Sequence, residues 1–297
     1  MVHLPRRLLA GLMILATPAV AAPATPAPDA PAASSAGEAQ SPVVLANHRA
    51  VYDLSLNGSS GTRPVEAARG RIVIDFRGDA CRGYTMQTRQ VTELTSGETG
   101  TRVSDLRSTT FEGGDGREFR FKTTTLTDEK PSAPVDGSAN TADGTLTIKL
   151  KGRGKPIMVP GSVLFPSAHM KRLVQAARAG QTTVSVKVYD GSDDGTKVYD
   201  TFAVIGHGAT GPAEAAANDR DKPLQSGPIA AVKHWPVTLS YYTEGEGERT
   251  PIYTLAFDLY ENGVSGRIKL DYGEFALVGS MTALDLDTKA PAKGCNP

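Results

Sequence analysis

The sequence predicts an all-β fold: one large curled antiparallel sheet of about a dozen strands, with a single amphipathic helix at Phe165–Gly180. Three observations predict it. Apolar residues recur with period two along most of the chain, Gly-rich and Asp-rich turns separate the runs, and only one segment switches to the helical period. About a dozen strands exceed what a flat open sheet carries without curling or splitting.

The first strands are the clearest. Tyr52, Leu54 and Leu56 alternate with Val51, Asp53 and Ser55, and Ile72, Ile74 and Phe76 alternate with Arg71, Val73 and Asp75. Each set puts its apolar members on one face of an extended chain. Similar runs follow at 84–94, 101–111, 118–126 and 145–150, broken by turns such as Gly113-Gly114-Asp115-Gly116. The second half supplies 182–189, 197–205, 235–242, 252–260, 265–272 and 274–286. Asn262-Gly263 offers the positive φ that a two-residue hairpin turn demands. Two stretches, 127–143 and 206–228, read as loops without structure of their own, and no internal repeat is visible.

Between Phe165 and Gly180, Met170, Leu173, Val174 and Ala177 fall at i, i+3, i+4 and i+7. Ser167 is the expected N-cap and Gly180 the C-terminal stop. Lys171, Arg172, Gln175 and Arg178 occupy the other face, so the apolar stripe must dock on the sheet, at its open face or mouth.

The N-terminus reads as an export signal. Arg6 and Arg7 form a basic start, Leu8 to Leu15 an apolar run, and Ala19-Val20-Ala21 a small-x-small cleavage site, with cleavage expected after Ala21. The apolar run is about a dozen residues, short of the roughly 20 a spanning helix needs, and no later segment supplies a membrane span. A lipid anchor needs a cysteine beside the cleavage site, and the nearest is Cys81. Residues 1–21 are therefore expected to be a signal peptide, 22–41 a disordered Ala/Pro-rich tether, and 42–297 a single β domain. The expected location is the periplasm.

Composition excludes some partners. The chain has 32 basic and 32 acidic side chains, and loss of Arg6 and Arg7 leaves 30 against 32. Such a balance, without basic clusters, argues against nucleic acid or anionic lipid as a partner. Cys81 and Cys295 are the only cysteines, and in an oxidising compartment they are expected to pair, tying the C-terminal tail to the body. By loop-closure entropy such a bond contributes at most roughly 5 kcal/mol.

No catalytic constellation survives inspection. Asp190, Ser192, Asp194 and Gly195 mimic the start of a calcium loop, but its twelfth position is Thr201 where a bidentate Glu is required. His3, His48, His169, His207 and His234 form no close pair for zinc. Gly263-Val264-Ser265-Gly266 lacks the spacing of a nucleophile elbow, and Gly152-Arg153-Gly154-Lys155 lacks that of a phosphate loop. The pairs Asp193 with Asp194 and Glu244 with Glu246 lie in solvated turns, where general acid chemistry finds no raised pKa. Trp235, Tyr241, Tyr242, Tyr253 and Tyr260 could form a sugar or peptide platform, but alternating strands favour core and cross-strand roles. No cofactor, metal or catalytic residue is expected.

The residues do resemble a family. His48-Arg49-Ala50-Val51-Tyr52, Cys81 followed by Gly83-Tyr84, Phe165-Pro166 with His169, Val188-Tyr189-Asp190-Gly191-Ser192, and Trp235-Pro236-Val237 resemble the EipB family of cell envelope integrity proteins. So do Tyr260-Glu261-Asn262-Gly263-Val264-Ser265, Leu270-Asp271-Tyr272 and Cys295, and the likeness spans nearly all of the mature domain. The resemblance implies a periplasmic protein of alphaproteobacterial type, folded as a spiral-like open barrel with a helix at one opening. It implies that Cys81 and Cys295 are the family disulfide and that the role is envelope integrity under stress, and it offers no catalytic residues.

The expected function is thus a non-enzymatic interaction scaffold for an envelope protein or lipid. Met170, Leu173, Val174, Ala177 and Trp235 are the candidate interaction or cavity-lining residues. The alternative is a carrier holding a lipid or lipoprotein acyl chain in a half-open barrel, and a hydrolase stands third. The interior discriminates: an apolar void favours the carrier, a packed core the scaffold, and a polar cleft of clustered acids the enzyme.

Overall fold

Most strands pair with their neighbours in chain order, and the short turns between many of them force reversal. The computed structural model describes residues 41–60, 64–98, 100–211, 221–245, 247 and 249–287. Expectations for the signal peptide, the tether, Glu246 and Cys295 lie outside the described residues, as do 212–220 of the second expected loop.

The strands are β1 (His48–Ser59), β2 (Val65–Asp79), β3 (Gly83–Ser96), β4 (Gly100–Glu112), β5 (Glu118–Thr127), β6 (Lys130–Pro131), β7 (Val135–Ala142), β8 (Thr145–Leu150), β9 (Ile157–Pro160) and β10 (Val163–Leu164). Helix α1 (Pro166–Arg178) follows, then β11 (Thr183–Val188), β12 (Tyr199–Ile205), β13 (His234–Thr243), β14 (Tyr253–Tyr260), β15 (Ser265–Asp271) and β16 (Phe275–Leu286). They form one curled, unclosed sheet in the order β10-β11-β12-β13-β14-β15-β16-β1-β2-β3-β4-β5-β7-β8-β9, with the short β6 paired to β5. All neighbours are antiparallel except β10 and β11. β16 returns to β1, pairing Leu54 with Gly279 and His48 with Leu286, so the two ends of the described chain meet inside the sheet. Its two edges, β9 and β10, are joined by Gly161 and Ser162 alone.

Period two decides which side chains go inward. Tyr52 and Leu54 on β1 are buried, as are Ile72 and Phe76 on β2, with Arg71 and Asp53 paired outside across the strands at 2.7 Å. These side chains join Leu239, Phe257, Leu259, Leu277 and the helix residues Leu173, Val174 and Ala177 in the larger core. A second core gathers Phe119, Phe121, Ala139, Leu146, Ile148, Phe165 and Tyr189. Phe119 stacks on Phe165 with centroids 5.0 Å apart, and Tyr189 meets Phe121 edge-on at 5.7 Å. Gly191 closes over that cluster: its φ is +70°, and a Cβ there would stand 2.6 Å from the Phe121 ring.

Four expectations are corrected. Residues 127–143 are not a loop but carry β6 and β7, where Gly137 and Ala139 face Phe121 and Phe119 across the pair. Large rings on β5 require small partners, so β7 lacks the apolar signal of a strand. In 206–228, the 3-10 turn Lys222–Leu224 plants a fully buried Leu224 in the core. The hairpin after β14 is not a two-residue turn: Tyr260 bonds Val264, and Glu261, Asn262 and Gly263 form a three-residue loop with Gly263 at φ +84°. Ser167 is not the helix cap; Phe165 is, with Pro166 opening the helix.

Candidate functional site

A Phe cap offers no oxygen to the exposed N–H groups of a helix start. Here they are satisfied from another element: Glu112, the last residue of β4, accepts the Ser167 N–H at 2.6 Å and the Ala168 N–H at 2.8 Å. A carboxylate there also meets the positive end of the helix dipole. Glu112 is 3% exposed, and burial raises its pKa against the lowering effect of the two N–H donors. The strand thus pins the helix over the interior.

Beneath the helix lies a cavity of about 290 Å³. Met170 and Leu173 border it from α1, Tyr52, Ile74, Phe76, Tyr84 and Met86 from β1 to β3, and Leu239, Tyr241, Leu255 and Phe257 from β13 and β14. Its polar lining includes His48, Thr110, Glu112, His169 and Asp190. Tyr52 donates to the Ser265 carbonyl at 2.6 Å, and burial pushes its hydroxyl well above its ordinary pKa. His48 Nδ1 lies 2.8 Å from the Ala46 carbonyl. Burial holds the His169 ring neutral, its pKa pushed down to about 4, and its buried Nε2 has no hydrogen-bond partner. Asp190 accepts the Ser192 N–H at 2.9 Å, and burial raises its pKa. The Tyr241 hydroxyl is pushed up to about 12 by burial and by the nearby Asp190 charge. Lys171 stands 4.8 Å over the Tyr84 ring, outside the lining. A second, wider groove of about 810 Å³ runs between exposed Arg120, Lys122, Lys149 and Lys151.

The structure sorts the sequence candidates. Met170 and Leu173 border the cavity, whereas Val174 and Ala177 are packed in the larger core. Trp235 is 3% exposed on β13, with Lys233 5.1 Å from its ring, and is not among the residues that line the cavity beneath the helix. Tyr241 and Tyr253 are a stacked cross-strand pair at 4.4 Å, and Tyr260 stacks on its strand partner His234 at 4.9 Å. Cys81 sits exposed in the turn between β2 and β3, where Asp79 accepts its N–H at 3.0 Å. Asp193 and Asp194 bond Lys197 and Thr196 within their own turn. Glu112 was missed by sequence reasoning. Its signal was available, since Thr110 and Glu112 share the inward phase of β4.

Residues 39–287 match the family model described as EipB-like. The chain belongs to the EipB-like family. It is 35% identical over 265 residues to "Cell envelope integrity protein EipB" of Brucella abortus (strain 2308), spanning 89% of this chain and 92% of that protein. A solved structure, titled as a beta-barrel-like protein of the domain of unknown function DUF1849 from the same species, superposes with a TM-score of 0.76. That match has 35% identity and covers 82% of this chain and 99% of the other. Membership agrees with the curled sheet and the single α-helix among the described residues. Among the described residues no helix is long and apolar enough to cross a membrane.

Proposed function

We propose that this protein serves cell envelope integrity from the periplasm, without catalysing a reaction, by holding an apolar molecule or acyl chain inside its curled sheet. The observation that carries this reading is the 290 Å³ cavity, walled by Met170, Leu173, Phe76, Leu239 and Phe257 and capped by a helix. Small barrels hold single ligands in just such interiors. The name of the Brucella relative supplies the process. A non-catalytic role is supported by Glu112, whose carboxylate is committed to two backbone N–H groups. Cys81 and Cys295 are taken as a disulfide, supported by the fact that no described cysteine is a free thiol.

Scaffolding of an envelope protein is the second reading, favoured by the outer groove between Arg120, Lys122, Lys149 and Lys151. Mass spectrometry of full-length protein, gently extracted from the periplasm, separates the two. The carrier reading expects a co-purifying amphiphile, displaced by Met86→Trp, which fills the cavity. Protein free of lipid in both forms, with an envelope protein crosslinked through the outer groove, would favour the scaffold.

A further inference from the structure

We infer that the interior cavity selects apolar molecules whose head donates hydrogen bonds, amines above alcohols, and rejects those ending in a carboxylate. This deepens the carrier reading and rests on it.

The cavity lining carries two carboxylates, Glu112 and Asp190, and neither Lys nor Arg. Glu112 has compensation: two helix N–H groups at 2.6 and 2.8 Å, and the charge of Lys171 near by. Asp190 has less. Ser192 supplies its N–H at 2.9 Å and its hydroxyl, and among the described residues no Lys or Arg pairs with it. Two histidines share the lining but bring no positive charge, since burial lowers the pKa of both His48 and His169. His169 is 5% exposed, and its Nε2 is buried without a partner. An unpaired polar atom of that kind is costly and gains from a polar head brought against it. Tyr241 shares the lining with Asp190, one face of its ring stacked on Tyr253 at 4.4 Å.

Low-dielectric surroundings amplify the sign of such a site. An ammonium or hydroxyl entering beside Asp190 finds an acceptor that lacks a cation. A carboxylate entering there meets like charge with no paired Lys or Arg to offset it among the described residues. Apolar burial drives entry of any chain that fits, so the head decides among chains of equal length.

The test uses three probes with one apolar body, decylamine, decanol and decanoate, each below its aggregation threshold. Each is titrated into delipidated full-length protein by calorimetry at neutral pH. Decylamine is expected to bind at least tenfold more tightly than decanoate, with decanol between them. Asp190→Asn keeps the oxygen that accepts the Ser192 N–H and removes the charge. It is expected to narrow the amine-to-carboxylate ratio to within about threefold, with decanol affinity falling less than decylamine affinity. Equal or tighter binding of decanoate by the unaltered protein overturns the inference and leaves the carrier reading standing. Failure of all three probes to bind overturns both. A preference for decylamine that survives Asp190→Asn overturns the assignment to Asp190.

Discussion

The Glu112 carboxylate accepts the Ser167 N–H at 2.6 Å across 55 positions of sequence, so β4 supplies the cap that the helix itself lacks. Glu112→Ala leaves two helix N–H groups without this acceptor in a buried place, and is expected to cost about 2–4 kcal/mol. Glu112→Gln keeps an acceptor oxygen and recovers roughly half of that. Urea unfolding of the three proteins measures it, and an alanine variant as stable as the parent would show that the cap is dispensable.

Acid should loosen the fold through His169. Folded, its pKa lies at about 4, against 6.5 for the free side chain. The unfolded chain therefore binds more protons between those values. Stability present above pH 6.5 is lost as pH falls through that window, by up to roughly 3 kcal/mol. Glu112 and Asp190 act in the opposite sense, because burial raises them and protonation relieves the folded state. The urea midpoint should decline from pH 6.5 towards 4.5, and His169→Leu should flatten that decline. An unchanged slope in the variant would assign it to other groups.

Leu173 is 1% exposed and Met170 half-buried, both on the cavity wall. Leu173→Ala is expected to cost about 2–3 kcal/mol, the low end for such truncations because the new space joins an existing void. Leu173→Asp should cost more, about 4 kcal/mol, since an unpaired charge loses its hydration. Thermal melts rank the variants. Wild-type stability for the aspartate form would mean that this face is open to solvent.

Cys295→Ser tests the proposed bond to Cys81. Loss of a crosslink spanning so much chain should lower stability by about 2–4 kcal/mol and expose the tail to proteolysis. Unchanged melting and digestion would show that no such bond constrains the protein.

The sequence was most legible where one face is apolar and the other charged. β1 and β2 follow from Tyr52, Leu54, Ile72 and Phe76, because water can reach only alternate residues. The helix followed from Met170, Leu173, Val174 and Ala177 for the same reason. β7 was hidden, since Gly137 and Ala139 are small in order to admit the rings of Phe121 and Phe119, and size complementarity is a property of the pair. The cavity's acids were hidden differently. Asp190 stands among turn residues that suggest solvent, yet burial raises its pKa, and only the curl of the sheet brings it beside Tyr241. Long-range placement of this kind leaves no local periodic trace.

Gly161 and Ser162 join the two unpaired borders of the sheet, and those borders are very short: four residues in β9, ending in Pro160, and two in β10. Bare strand borders recruit neighbouring molecules into fibres, and brevity and proline both discourage it. A sheet this rich in strands thereby ends in two short terminal strands, which gives passing copies of itself little regular edge to zip onto.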